Sequence, residues 1–208
     1  MPVLEHRGRR PRIHPSAYVA PTAVIAGDVT VGPDARVLFG AVLTAEDGSV
    51  TVGARCVVME NAVLRGRAGH PVRLGDVVLV GPLAHVNGAV VGAGSFLATG
   101  AALFPGAVVG AGCEVRVRAT VQVNTVLPDD AMVPIGWVAV GDPVHVLPPD
   151  RHDEIWAVQR DLDFPGTVYG VPRGTSMTEL MTRQSAWFGA HRDDVVLDDG
   201  PDGRDEAR

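Results

Sequence analysis

Residues 13–43 read IHPSAYVAPTAVIAGDVTVGPDARVLFGAVL, with a branched aliphatic side chain at every sixth position: Ile13, Val19, Ile25, Val31, Val37 and Leu43. After a short interruption the series resumes at Val52, Val58 and Leu64, then at Leu74, Val80 and Val86. A five-residue step leads to Val91, Leu97, Leu103, Val109, Val115, Val121, Leu127 and Val133, and Ala139 closes a set of twenty-one sites. A helix repeats every 3.6 residues and a simple strand every two, so neither accounts for a sustained period of six. Glycine adds a second period, because Gly32, Gly53, Gly75, Gly92 and Gly110 each follow an aliphatic site and recur once per three hexads. Six residues make one short flat strand and a corner, and three such sides close a triangular coil of about eighteen residues. Each aliphatic side chain then points inward and stacks on its counterpart three hexads away. The expectation is an all-β parallel solenoid of seven coils with C-terminal α-helices.

The domain plan follows from where the period starts and stops. Residues 1–12 form an N-terminal arm, 13–141 the solenoid, 142–192 a helical segment and 193–208 an acidic, disordered tail. Two stretches, 44–51 (TAEDGSVT) and 65–73 (RGRAGHPVR), break the register and are expected to leave the prism as loops, where solenoids often carry function. Beyond Gly141, Asp150 is expected to cap a helix from Arg151 to Gln159, and the run LDFPGTVYGVPRG reads as loop. Ser176 opens a second helix to Phe188, with Met177, Leu180, Met181 and Trp187 on one face.

Composition agrees with a thin apolar interior: 36 valines, 25 glycines and only 5% aromatic residues. The formal charge of −6 resides mostly in the residues from Asp193 onward, so the body is near neutral and nucleic acid is not an expected partner. The chain has no lysine, which removes Schiff-base catalysis, lysine-bound pyridoxal chemistry and a Walker-type phosphate lysine. No apolar run approaches the ~18 residues of a membrane span and no secretory signal is visible, so no membrane partner and a cytoplasmic location are expected. Cys56 and Cys113 read as buried free thiols.

The stretch from IHPSAYVAPTAVIAGDVTVG through GAVL, VGARCVVMENAVLRG, HPVRLGDVVLVG and VVGAGSFLATGA resembles the gamma-class carbonic anhydrases, in repeat length, in the break after Leu64 and in the short step after Val86. The resemblance implies a left-handed β-helix and a homotrimer. It also implies a metal held between subunits by three histidines, at positions that here are Arg65, Asn87 and Pro82. An arginine cation and a proline offer no donor, and asparagine is a weak zinc ligand. Further family positions carry Thr44, Glu46, Met59 and Glu60. The family's zinc site is therefore not expected, nor is ordinary carbonic anhydrase activity, which needs a metal-bound hydroxide.

The candidate site is a rebuilt intersubunit pocket taking a small-molecule substrate. Its catalytic candidates are Glu60 and His70 for proton transfer, Arg65 as a carboxylate anchor, and His85; Asn61, Asn87, Gln122 and Met59 are substrate-binding candidates. No cofactor is expected, with a divalent metal on His70 and His85 left open. Plainer roles stand beside these: an Arg65–Glu60 or Arg65–Glu46 salt bridge, a loop histidine at His70, a structural His85 and intersubunit hydrogen bonds for Asn87 and Gln122. Three functions remain open: a lyase- or hydratase-type or decarboxylating enzyme acting on a small carboxylate or carbonyl compound, an acyl-CoA-dependent acyltransferase, and a non-catalytic assembly subunit.

Overall fold

The structure is a computed structural model, and it describes residues 2–197. Its backbone winds into a parallel β-solenoid, and the period-six sites form three vertical ladders. One runs Ile13, Val31, Val52, Leu74, Val91, Val109, Leu127. A second runs Val19, Val37, Val58, Val80, Leu97, Val115, Val133. The third runs Ile25, Leu43, Leu64, Val86, Leu103, Val121, Ala139. All twenty-one predicted sites pair in the expected register, and all except Ile13 and Val19 are buried. Burying one such side chain contributes about 1.5–3 kcal/mol, so the ladders are the principal apolar source of stability.

The N-terminal arm joins the sheet. Val3–Glu5 lies parallel to the strand Val24–Val31, with Val3 beside Ile25, and adds an eighth layer to that face. Its other edge pairs antiparallel with Val195–Leu197. The acidic tail therefore cannot begin at 193: Asp193 ends a 3-10 turn and residues 195–197 are a strand, fixed by that pairing. The remainder of the expected tail, 198–208, lies outside the described residues.

The two register breaks differ from expectation. Residues 44–51 stay within one strand, Val42–Val52, whose two ends pair with Val24–Val31 on one side and with Val63–Gly66 and Val72–Leu74 on the other; Glu46–Ser49 fall in a register shift against Val24–Val31, so the insertion is a bulge and not a loop. In the second break Arg65 and Gly66 continue a strand, and only Arg67–His70 turns, closed by reciprocal backbone hydrogen bonds of 2.9 and 3.0 Å. The arm repeats this device at His6–Arg9.

The C-terminal segment holds three helices. Helix α1 spans His152–Gln159. Arg151 occupies its cap position without a side-chain hydrogen bond, so Asp150 is not the cap. The run expected as loop contains α2, Phe164–Tyr169, started by Asp163 accepting from the Gly166 amide. Helix α3, Met177–Phe188, begins at Ser176, whose hydroxyl accepts from the Glu179 amide as the sequence predicts. The last coil is covered by His145–Leu147, antiparallel to Val138–Val140, which blunts the open sheet edge. Both cysteines are free and buried; burial pushes both thiols up despite backbone hydrogen bonds. Among the described residues no helix is long and apolar enough to cross a membrane.

The glycine column is explained by contact between coils. A Cβ on Gly53 would lie 2.5 Å from the Gly75 carbonyl oxygen, and one on Gly92 2.4 Å from the Ala111 amide nitrogen. Gly92→Ala should therefore destabilise the fold by about 1–3 kcal/mol in urea unfolding. Gly189→Ala, where a Cβ meets nothing within 4 Å, should stay within about 0.5 kcal/mol of the parent.

Candidate active site

Three residues that follow inward aliphatics on the third ladder stand side by side. Thr44, Arg65 and Asn87 pair directly, Thr44 with Arg65 and Arg65 with Asn87. They point outward from one face, because the inward sites are Leu43, Leu64 and Val86. Phe104 follows Leu103 on the same face.

This face is roofed by the chain's own helices, where an intersubunit pocket is expected from the sequence. Phe104 packs on Phe164 (centroids 6.1 Å apart), and Asn124 Nδ2 donates to the Leu162 carbonyl and the Thr167 hydroxyl, both at 3.0 Å. At the far end of α3 the Arg65 guanidinium sits 5.6 Å from the Phe188 ring and Arg67 4.8 Å from the Trp187 ring. Cation–π contact and aromatic packing thus hold the roof down. Beneath it lies a cavity of about 360 Å³ that Arg65, Arg67, His85, Asn87, Tyr169 and Gln184 help to line.

The polar groups here lack partners. Thr44 Oγ1, Arg65 Nε and Asn87 Oδ1 are buried without a hydrogen bond, a costly condition for three adjacent groups. Arg65 Nε is 3.7 Å from Glu46 Oε1, an ion pair beyond hydrogen-bond length, and Glu46 is only 3% exposed. His85 lies in the same cavity; burial first, and the Arg65 charge second, hold its imidazole below the ordinary value. It is therefore neutral near pH 7 and able to accept a proton or hydrogen bond.

The other predicted residues divide. His70 lines a neighbouring cavity of about 270 Å³ that shares Arg67, Val168, Tyr169 and Gln184 with the first. Its imidazole is also depressed, by burial and then by Arg67. Gln122 accepts from Gln159 Nε2 of α1 at 3.4 Å. Glu60 and Asn61 form a corner turn, with Asn61 at φ 57°, and within this chain they do not meet Arg65. On the second ladder the position two residues after each inward site belongs to the bend; Pro82 sits at the equivalent corner above and Met59 immediately precedes the turn. Within this chain the Arg65 partner is Glu46, not Glu60.

One cluster was not anticipated. His6, Glu46, His191 and Asp194 meet beside Arg65, although they are up to 188 residues apart. Its only sequence signals are the HRGR turn of the arm and the His191–Asp194 spacing, and Asp194 falls in the stretch expected as a disordered tail. For His191, burial is outweighed by hydrogen bonds and charge from Asp194 and Glu46, and its imidazole is raised. For Asp194, burial is outweighed by His191 and His6, and its carboxyl is lowered.

The architecture is that of a hexapeptide-repeat protein. A hexapeptide transferase family protein from Anaplasma phagocytophilum superposes with a TM-score of 0.60 over 90% of this chain and 93% of that one, at 19% identity, a likeness of fold. Gamma carbonic anhydrase 1, mitochondrial, of Arabidopsis thaliana is 31% identical over 154 residues, which are 71% of this chain and 54% of that protein. A carbonic anhydrase from Geobacillus kaustophilus is 26% identical over 98 residues, 47% of this chain and 54% of that one. No family model matches. The chain belongs to the gamma carbonic anhydrase-like hexapeptide-repeat proteins, and it spans about half the length of the curated relatives it matches. The three positions that the resemblance assigns to metal-binding histidines do not fit a metal here: Arg65 and Asn87 face the roofed cavity, and Pro82 lies on a corner.

His85 gives a pH expectation. A histidine whose folded value lies below its unfolded one, near 6.5, contributes fully above that value and loses stability as pH falls toward the folded value. The loss of unfolding free energy between pH 7.5 and 5.5 should therefore be smaller in His85→Gln than in the parent, measured by urea titration at both values.

Proposed function

We propose that this protein is a divergent enzyme of gamma carbonic anhydrase ancestry that binds a small carboxylate in the Arg65 cavity and carries out a lyase- or hydratase-type step on it. The observation that carries this reading is the row of unpartnered buried groups, Thr44 Oγ1, Arg65 Nε and Asn87 Oδ1, on three neighbouring strands. A carboxylate fits a guanidinium in a two-point ion pair, and its neighbouring hydroxyl or carbonyl would satisfy Asn87. His85, neutral at working pH, takes the proton next to the carboxylate, and His70 is the second base within reach of the shared wall. No step runs through a metal at the family's positions, because Arg65 and Pro82 cannot donate to one.

A homotrimer is part of the proposal. The face carrying Tyr18, Phe96 and Met132 is unroofed and exposes these side chains, next to the corner residues Phe39 and Leu83. Apolar groups in such a column fit a subunit contact. In that assembly Glu60, Asn61 and Met59 would face a neighbour.

The test is calorimetric titration of the purified protein with a panel of small hydroxy- and dicarboxylates. A carboxylate should bind the parent, Arg65→Ala should weaken it at least about tenfold, and Arg65→Lys should fall between. Carbon dioxide hydration should not exceed the uncatalysed rate. If no carboxylate binds, or if Arg65→Ala leaves binding unchanged, the reading is wrong. Binding of acetyl-CoA in place of carboxylates would favour an acyltransferase on the same fold.

A further inference from the structure

Three chain segments distant in sequence converge beside the roofed cavity. His6 comes from the turn of the N-terminal arm, Glu46 from the strand Val42–Val52, and His191 and Asp194 from the 3-10 turn Gly189–Asp193 and the residue after it. His6 is 1% exposed and Glu46 3%, while Asp194 and His191 are partly buried. The two imidazoles stack with centroids 4.4 Å apart and planes 23° apart. Both Nδ1 edges face Asp194: His6 Nδ1 is 2.5 Å from Oδ1 and His191 Nδ1 2.8 Å from Oδ2.

We propose that His6, His191 and Asp194 form a binding site for a divalent transition metal, zinc foremost, built where the arm and the C-terminal turn meet. One donor atom from each of the three residues already lies within 4.8 Å of the others, and no other group of this kind occurs among the described residues. Tetrahedral bonds of about 2.0–2.2 Å set ligand atoms roughly 3.3–3.6 Å apart, so a modest side-chain rotation must draw Asp194 back from the two Nδ1 atoms, now 2.5 and 2.8 Å away, to admit the ion. Imidazole nitrogen and carboxylate oxygen are the ligand types zinc takes, and three protein ligands leave a fourth position for water.

Glu46 supplies the outer layer. His191 Nε2 is 3.0 Å from Glu46 Oε2, so when a metal displaces the proton that Nδ1 shares with Asp194, Glu46 keeps the other proton on Nε2. His6 Nε2 is 3.9 Å from the same oxygen and 3.2 Å from Arg7 Nε. Metal ligation through His6 Nδ1 places a proton on that Nε2, and the exposed Arg7 side chain swings away. The site uses neither His70 nor His85, and it shares no residue with the positions the family resemblance assigns to metal. Its effect reaches the cavity, because His191 stacks on Phe188 (centroids 6.3 Å, planes 13°) and Phe188 lies against Arg65. A bound metal therefore fastens the end of α3 and with it the roof.

Protein dialysed against chelator and then freed of it should take up one zinc per chain in calorimetry, and zinc should raise Tm by about 5 °C or more. Cobalt(II) in its place should give visible d–d bands that zinc abolishes. Asp194→Asn and His191→Gln should each weaken zinc at least about tenfold, whereas His152→Gln, an exposed histidine of α1, should not. Carboxylate binding at Arg65 is measured separately, so failure of either site is distinguishable from failure of the other. The proposal is overturned if no zinc binds at one per chain, or if both variants bind it as the parent does. Should the variants fail to fold, anomalous diffraction from a zinc-soaked crystal of the parent decides: metal between His6, His191 and Asp194 upholds the site, and metal elsewhere or none rejects it.

Discussion

The fold depends on stacking one inward aliphatic side chain per hexad upon its counterpart in the next coil. In a triangular coil each side is too short to be stable alone, so every strand derives its burial and its backbone pairing from the layers above and below. That makes register compulsory: a slip by one residue would turn Leu43, Leu64 or Val86 outward and leave a coil hollow. It also places the next residue of each hexad outward at a fixed height. Thr44, Arg65 and Asn87 are held in line by that repetition, not by any contact among their side chains.

The helical segment then changes what that line of residues is for. A solenoid face left open is a surface for another subunit, whereas one roofed by α2 and α3 is a cavity belonging to a single chain. The arginines make this possible. Arg65 and Arg67 lie against Phe188 and Trp187, so that groups normally solvated become part of the wall. Once enclosed, the same groups lose water and acquire unmet hydrogen-bonding capacity, the property on which ligand recognition rests.

The solenoid was legible because its signal is periodic and local: twenty-one aliphatic sites recur at a spacing that no helix or simple strand imitates. The column of Thr44, Arg65 and Asn87 was legible for the same reason. Within this chain Glu60 lies apart from Arg65 because on the second ladder the backbone bends two residues after the inward site and carries that side chain around a corner. Residues 44–51 do hold an insertion, Glu46–Ser49, which the strand takes up as a register shift and not as a loop because both of its ends are paired. The short α2 was hidden by Pro165, Gly166 and its brevity; its start depends on the Asp163 side chain. His6 with Asp194 was illegible for a different reason, since only the docking of Val195–Leu197 against Val3–Glu5 brings them together.

That pairing has a consequence for biosynthesis. Val3–Glu5 acquires its outer partner only once residues 195–197 have been made. Until then the base of the solenoid is an uncovered edge on which the strand of another nascent chain could settle. Coils can wind progressively behind the exit tunnel, but the last few residues of the described chain close the first layer. Completion of the first layer thereby waits on residues 195–197, and a chain lacking them would carry wound coils above an open, adhesive floor.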